Sequence, residues 1–197
     1  MLRPDLEIIR NWIPDNSRVL DLGCGGGSLL ENLRDSKNCQ GYGLEIAQDN
    51  LAECFVRGVN VIEQDIDEGL GDIQDKRFDY VVMTQALQAV HRPDLVLSEM
   101  LRVGKEAIIT FPNFGHWRVR GYLFLKGKMP VSRTLPHQWF DTPNIHLCTV
   151  SDFETHCRKS GFQILQRTVV DRDHQNGWLT KLLPNLFGEI ALYRVTR

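Results

Sequence analysis

The sequence predicts an α/β fold: a single domain built on a mostly parallel, seven-stranded sheet with helices on both faces. Two observations predict it. Short apolar segments rich in β-branched residues alternate with segments whose apolar residues recur at helical spacing. The first apolar segment leads into a glycine-rich turn at residues 23–27, and a helical pattern follows it. Because such strands pair in parallel through right-handed crossovers, their carboxyl ends meet at one edge of the sheet, where ligands bind.

The first four predicted elements are a helix, a strand, a helix and a strand. Residues 6–12 carry apolar side chains at helical spacing, and Pro14 ends this segment. Residues 18–22 form an apolar strand that contains one acid, and residues 28–34 continue from the glycine turn as a helix. Residues 40–45 are the second predicted strand, which ends in an acid.

The middle of the chain repeats this alternation. Residues 48–57 are predicted as a helix because a glycine follows directly and can end it. Residues 59–64 and 78–83 are predicted as strands, since they are β-branched and mostly apolar on both faces, as buried parallel strands are. A helix over residues 94–103 and a strand over residues 107–111 complete this part.

The last part of the chain completes the predicted sheet. Ser151 and Glu154 have the spacing of a capping box, which predicts a helix from there to residues 160–161. Residues 162–170 and 189–196 are the sixth and seventh predicted strands. We therefore interpret residues 1–197 as one domain with an insertion at about residues 112–150.

Composition excludes several classes of protein. Hydrophobic residues at 42% and charged residues at 24% are ordinary for a soluble globular domain. A net charge of −2 gives no basic field for nucleic acid, and no apolar segment approaches the length of a membrane span. Residues 1–5 lack the apolar part of a signal peptide, so we expect a cytoplasmic location. The five cysteines form no C-x-x-C pair, which favours reduced thiols and no metal site.

The glycine turn has the pattern D-x-G-x-G-x-G, beginning at Asp21. Glycine accepts positive φ and has no Cβ, so a ligand can lie against the backbone of Gly23, Cys24 and Gly25, facing the N–H groups of the next helix. The dinucleotide fingerprint would need a glycine where this chain has Ser28, so a nicotinamide dehydrogenase is not favoured. Cys24 is interpreted as a small residue that fits the turn, since no base for a nucleophile lies nearby in sequence.

Acids also stand at the ends of the second and third predicted strands, at Glu45 and Asp65, while Thr84 follows the fourth strand. A carboxylate such as Glu45 can accept hydrogen bonds from both hydroxyls of a ribose, at about 1.5–3 kcal/mol per bond. Together with the turn, these residues resemble the class I S-adenosylmethionine-dependent methyltransferases, which have a Rossmann-like fold. The resemblance implies that Asp21 and the turn hold the methionine part, Glu45 the ribose, and Asp65 lies by the adenine. The cofactor-binding residues that we expect, for S-adenosyl-L-methionine or S-adenosyl-L-homocysteine, are Asp21, Gly23, Cys24, Gly25, Glu45, Ile46, Asp65, Ile66 and Thr84.

A catalytic apparatus is much less evident. Methyltransferases of exocyclic amino groups carry an Asn/Asp-Pro-Pro-aromatic motif where this chain has Thr-Gln-Ala-Leu at residues 84–87. His91, in the loop after the fourth strand, and His116, just beyond the fifth, are the candidate general bases. For both, we favour a structural role over a catalytic one.

The insertion has an unusual composition. Residues 112–140 contain no acid, while bases and aromatic residues alternate there. We weigh three interpretations: a lid over a methyl acceptor, a docking surface for a protein, or a local helical subdomain with its own core. The alternation also permits RNA binding, but it matches no known module. The bases are Arg118, Arg120, Lys126, Lys128 and Arg133, and the aromatic residues are Phe114, Trp117, Tyr122, Phe124, Trp139 and Phe140.

The chain resembles one family more specifically. Pro-Asn-Phe-Gly-His-Trp at residues 112–117 and Leu-Pro-His-Gln-Trp-Phe-Asp-Thr-Pro-Asn-Ile-His at residues 135–146 resemble the methionine biosynthesis protein MetW family. The resemblance implies a protein that acts with a homoserine O-acyltransferase, MetX, as an activating or regulatory partner, which we expect to contact residues 112–144. The alternative is an active small-molecule methyltransferase. Neither hypothesis involves nucleic acid or a membrane.

Overall fold

The computed structural model describes residues 2–132, 134–170 and 178–197 of the chain. Arg133, one of the bases counted in the insertion, lies outside the described residues. The strands are β1 (Arg18–Leu22), β2 (Gln40–Glu45), β3 (Asn60–Glu63), β4 (Phe78–Thr84), β5 (Gly104–Pro112), β6 (Gln163–Val170) and β7 (Ile190–Thr196). The helices are α1 (Pro4–Trp12), α2 (Ser28–Lys37), α3 (Gln48–Arg57), α4 (Pro93–Val103), α5 (Trp117–Lys126), α6 (Val150–Lys159), α7 (Trp178–Leu182) and α8 (Pro184–Phe187), with a short 3-10 helix at Ile66–Glu68.

The strands form one sheet in the order β3-β2-β1-β4-β5-β7-β6, which confirms the predicted mostly parallel, seven-stranded α/β fold. Strands β1 to β5 pair in parallel, with Leu22 of β1 beside Leu44 of β2 and Met83 of β4. β7 is antiparallel to both β5 and β6. The strand order changes direction between β1 and β4, so the crevice at their carboxyl ends is where this topology places a ligand.

Alternate residues of the central strands belong to two separate cores, one on each face of the sheet. Val19 packs with residues of α1 and α2, whereas the next residue, Leu20, packs with residues of α4 and α6. In β4, Val82 belongs to the same core as Val19, and Val81 belongs to the same core as Leu20. All four are fully buried, and each such side chain contributes about 1.5–3 kcal/mol relative to exposure. Helices therefore cover both faces, as predicted.

Some predicted boundaries change. The capping-box prediction is wrong, because Thr149 is the N-cap of α6: its Oγ1 accepts from the Asp152 N–H at 3.1 Å. Ser151 lies inside the helix instead. The insertion contains a helix of its own, α5, and β5 runs from Gly104 to Pro112, beyond both ends of the prediction.

Candidate functional site

The glycine turn after β1 folds over the end of β2. The Gly23 and Cys24 N–H groups both donate to the Leu44 carbonyl, at 2.9 and 3.1 Å. Gly23 and Gly25 have φ values of +70° and +54°, a region that side chains with a Cβ rarely adopt. A Cβ at Gly25 would meet nothing within 4 Å, so the backbone here faces open space. The turn thus presents bare backbone to a ligand.

Glu45 joins this turn to the start of α3. Its Oε2 accepts from the Gly25 N–H at 2.8 Å, while its Oε1 accepts from the Ile46 and Ala47 N–H groups at 3.0 and 2.9 Å. The residue is only 8% exposed. A carboxylate has about four acceptor positions, so Oε2 keeps one for a ligand hydroxyl. Glu45 therefore braces the turn and remains able to accept one further bond.

Asp21 has the most perturbed carboxyl group of the crevice. It is 2% exposed, and its Oδ1 is buried without a hydrogen-bond partner. Burial raises the pKa of Asp21 to about 7; Arg3 lowers it and Glu45 raises it by smaller amounts. A cation beside Asp21 would supply the missing partner and favour the charged form. Asp21 is thus suited to a positively charged ligand.

The other predicted cofactor residues border the turn to different degrees. A Cβ at Gly23 would lie 3.8 Å from Ile66 Cδ1, so Ile66 closes one side of the crevice. Asp65 is exposed and accepts from the Asp67 N–H at 2.9 Å, which caps the 3-10 helix. Ile46 is 58% exposed, and Thr84 ends β4 beside Thr110 of β5.

Sequence reasoning missed a connection between α1 and the end of β4. Gln85 has a φ of +54°, and its N–H donates to the Thr110 carbonyl at 3.0 Å. Its Nε2 donates to Asp5 Oδ2 at 3.1 Å, and Asp5, 1% exposed, also pairs with Arg3 at 3.0 Å. This chain of contacts places the positive charge of Arg3 toward Asp21. No sequence pattern signals it, since Gln85 and Asp5 are far apart in the chain.

His91 pairs with an acid that the sequence did not connect to it. The ring Nδ1 of His91 lies 2.7 Å from Asp67 Oδ2, and the backbone N–H of His91 donates to Asp67 Oδ1 at 2.8 Å. The hydrogen bond that the imidazole donates to Asp67 raises the pKa of His91, which favours the protonated form. The imidazole is 79% exposed. The role of His91 as a general base stays a prediction.

His116 has a structural position at the start of α5. Its Nδ1 accepts from the Arg118 N–H at 3.3 Å, so it is the N-cap of the helix. Burial, and then the charge of Arg118, lower the pKa of His116 to about 4. The imidazole is therefore neutral at pH 7 and is a weak base. Its catalytic role also stays a prediction.

Asn113 holds the base of the insertion in place. It is 2% exposed and makes four hydrogen bonds, which is the capacity of its amide. Its Nδ2 donates to the carbonyls of Asn185 and Gly188, at 3.0 and 2.8 Å. Its Oδ1 accepts from the N–H groups of Gly115 and Val150, at 3.0 and 3.2 Å.

Beyond this base, the insertion does not form a core of its own from its aromatic residues. Val119 is the buried residue of α5, while Phe124 and Leu125 are 89% and 77% exposed. Trp139 and Phe140 are 75% and 70% exposed, and their rings pack edge to face with centroids 5.6 Å apart. The interpretation as a local helical subdomain is therefore not favoured for these side chains.

The remaining features of the described residues give no sign of a reactive or metal-binding group. Cys24 and Cys54 are free thiols 3.9 Å apart, and burial followed by the charge of Asp21 raises the pKa of Cys24. Across the described ranges, three or more His, Cys, Asp or Glu side chains nowhere group as metal ligands would. None of the described helices combines the length and apolar character that crossing a membrane requires.

Comparisons with known proteins give one family and one fold. The family described as methionine biosynthesis protein MetW matches residues 3–195. The bifunctional methionine biosynthesis protein MetXA/MetW of Rhodopirellula baltica is 41% identical over 160 residues, which cover 77% of this chain and 26% of that relative. The chain thus spans about a quarter of the relative's length.

Solved structures agree on the fold. An S-adenosylmethionine dependent methyltransferase from Mesorhizobium loti has a TM-score of 0.73 at 16% identity, covering 99% of this chain and 98% of its own. A methyltransferase of the same description from Archaeoglobus fulgidus has a TM-score of 0.70 at 20% identity, covering 98% of this chain and 93% of its own. At these identities, the likeness establishes the class I methyltransferase fold alone.

Proposed function

The chain belongs to the MetW family of methionine biosynthesis proteins, and on that premise we propose that it is the activating or regulatory partner of a MetX-type homoserine O-acyltransferase. The observation that carries the proposal is the relative in which MetXA and MetW are one bifunctional protein. Fusion holds two modules at a high effective concentration. When the two modules are separate chains, this chain needs a surface that binds the enzyme.

The exposed aromatic residues of the insertion support such a surface at residues 112–144. We call Trp117, Phe124, Trp139 and Phe140 the aromatic surface; they are 48%, 89%, 75% and 70% exposed. Arg118 lies 5.3 Å from the centre of the Trp117 ring. Aromatic residues and arginine are enriched at the centres of protein interfaces. Because residues 112–140 contain bases but no acid, the complementary patch on the enzyme is expected to be acidic.

We assign S-adenosyl-L-methionine, or S-adenosyl-L-homocysteine, to the crevice at the glycine turn. The unpartnered Oδ1 of Asp21 suits the positively charged methionine part, and the free acceptor position on Glu45 suits a ribose hydroxyl. Gly23, Cys24 and Gly25 contribute backbone. Ile46, Asp65, Ile66 and Thr84 complete the assigned set around them.

The cofactor would then report the supply of its precursor, because S-adenosylmethionine is made from methionine. Regulation requires that the cofactor bind free protein and complex with different affinities, and the effect is reciprocal. In this role, the chain's own residues bind the cofactor, and Glu45 holds the glycine turn in position. We do not propose methyl transfer, because the family and the fused relative support the partnership and His116 caps α5.

The test is the activity of the matching homoserine O-acyltransferase with and without this protein, across a titration of S-adenosylmethionine. We expect activity to rise with the protein and to change as the cofactor is added. A Phe124→Ser, Trp139→Ser double variant should lose the activation. The matched control is Phe55→Ser, because Phe55 on α3 is also an exposed aromatic residue, at 71%. No rise with the wild-type protein would contradict the partnership, and a rise without a cofactor response would contradict the sensing role.

A further inference from the structure

The sheet of the described residues has β3 at one edge and β6 at the other, and the two edges are protected to different degrees. The register of β6 is irregular between Ile164 and Gln166, and its Arg167 pairs with Glu154 of α6 at 2.8 Å. Bulges and charged side chains keep edge strands from pairing with other chains. The register of β3 against β2 is unbroken, and residues 60–63 contain neither a base nor a proline. The β3 edge is therefore the less protected of the two.

The backbone groups that β3 turns outward follow from its register. Glu63 lies beside Glu45 of β2, and the Gln64 N–H donates to the Glu45 carbonyl at 3.2 Å. Since alternate residues of a strand bond to the same neighbour, Ile62 and Gln64 bond to β2. Val61 and Glu63 consequently point their N–H and C=O groups away from the sheet. Outward groups of this kind are a template for another strand.

The side chains along the β3 edge add apolar area to these backbone groups. Ile62 is 51% exposed, and it lines a groove of about 440 Å³ together with Val61 and Tyr42, which is 40% exposed. The charged residue of the strand, Glu63, accepts from Gln48 Nε2 of its own chain at 2.8 Å. The edge thus offers hydrogen-bonding groups and apolar side chains next to each other.

One two-fold register pairs β3 with a second copy of itself completely. Outward residues must face outward residues, so the axis can pass through position 61, 62 or 63. With the axis at Ile62, Val61 of each copy faces Glu63 of the other, and every outward N–H meets an outward carbonyl. An axis at Glu63 would set two carboxylates against each other, and an axis at Val61 would set Glu63 against position 59, outside the strand. The Ile62 register is therefore self-complementary in hydrogen bonds and in charge.

We propose that β3 is a self-association surface, at which a second copy of this chain pairs its own β3 in antiparallel orientation with Ile62 of both copies on the two-fold axis. The two seven-stranded sheets then form one continuous sheet. The pairing uses no residue of the glycine turn and none of the aromatic surface. It is therefore independent of the cofactor and of the acyltransferase.

Sedimentation equilibrium of the isolated chain tests the association. We expect the average mass to rise with protein concentration from 22.6 kDa toward twice that value, because a two-fold pair is closed. A mass that stays at one chain up to millimolar protein would overturn the proposal. Continued growth beyond two chains would overturn it as well, since pairing of β3 with β3 leaves no open β3 edge.

Ile62→Glu tests the position of the axis. The variant places two carboxylates against each other, so we expect the Kd of the dimer to rise roughly tenfold or more. Leu165→Glu, at a 39% exposed residue on the β6 edge, is the matched control and should leave the Kd unchanged. Because Ile62 is half exposed, the Tm of the monomer should stay close to that of the wild type. An unchanged Kd in Ile62→Glu, or the same rise in both variants, would overturn the proposal.

Disulfide cross-linking tests the register without weakening the pair. The two Ile62 residues form a pair that is not hydrogen-bonded, with Cα atoms about 4.5 Å apart, a separation that a disulfide spans. Ile62→Cys should therefore link two chains on mild oxidation, whereas Val61→Cys alone should not. A mixture of Val61→Cys and Glu63→Cys should link, and the wild-type chain with its five cysteines gives the background. If Ile62→Cys does not link above that background, or Val61→Cys alone links as fast, the proposal is wrong.

Discussion

The crevice at the glycine turn and the aromatic surface of the insertion are organised in opposite ways. In the crevice, Asp21 and Glu45 are buried, and three backbone N–H groups hold the Glu45 carboxylate. In the insertion, Phe124 and Trp139 project into solvent, although Asn113 ties the base of the same segment to the core. The crevice thus offers a ligand the buried Asp21 Oδ1 and one acceptor position of Glu45, whereas the aromatic surface offers side chains that are exposed to solvent. The comparison separates ligand binding from docking, and each half can be tested alone.

The largest effect is expected from Glu45→Ala. Loss of the one ribose hydrogen bond together with the three bonds that hold the turn should weaken S-adenosylmethionine binding by about 2–4 kcal/mol, or roughly 30- to 1000-fold, measured by calorimetry. Glu7→Ala, on the exposed side of α1, is the control and should leave the affinity unchanged. If Glu45→Ala binds the cofactor as the wild type does, the crevice half of the comparison fails.

Asn113→Ala tests whether the base of the insertion belongs to the folded core. Two carbonyls and two N–H groups lose their partner, so we expect a loss of about 3 kcal/mol and a Tm roughly 6–12 °C lower. Thermal unfolding measures the change. Asn11→Ala, exposed on α1, should shift the Tm by little. A stable Asn113→Ala variant would mean that the base is as loosely attached as the aromatic surface.

Cofactor binding in the crevice should depend on pH through Asp21. The pKa of Asp21 is about 7, above its ordinary value of 3.8, so Asp21 is largely protonated at pH 6 and half ionised at pH 7. A cationic cofactor that needs the carboxylate should bind about fivefold more tightly at pH 7 than at pH 6. Stability should change in the other direction, because the raised pKa makes this group's contribution fall as pH rises from about 4 to 7. Asp21→Asn should flatten the pH profiles of affinity and of stability. If the profiles keep their slope, a group other than Asp21 causes them.

The smallest effect is expected from Phe124→Ser and Trp139→Ser. Both side chains are exposed, so the free energy of unfolding of the isolated chain should change by about 0.5 kcal/mol or less. Denaturant titration provides the value. A larger loss would show that the aromatic surface packs on its own chain and would remove the contrast with the crevice.

The sheet and the acids of the crevice were accessible to sequence reasoning for a physical reason. Buried parallel strands must be apolar on both faces, and the acids that interrupt them at Asp21 and Glu45 stand out. The bounds of β1 and β2 match the prediction, and the ends of β3 differ by one residue each. These features are local, so a single sequence contains them.

What was not predictable depends on contacts between distant segments or on backbone geometry. The pair of His91 and Asp67 joins residues on two separate loops, and the positive φ of Gln85 has no sequence signature. Helix α5 lacks a clear apolar stripe, because its neighbours in the fold cover so little of it. The unpartnered Oε1 of Gln88 is likewise a property of packing rather than of pattern.

The position of β7 has a consequence for synthesis on the ribosome. β7 follows β5 and β6 in the chain, yet it lies between them and pairs with both. While residues 190–196 are still inside the exit tunnel, β5 has an open edge and β6 has no strand to join. The parallel half, β1 to β5, can assemble beforehand, since its strands pair only among themselves. The edge of β5 therefore stays open to pairing with other chains until residues 190–196 are available, and these seven residues then pair with β5 and β6 together.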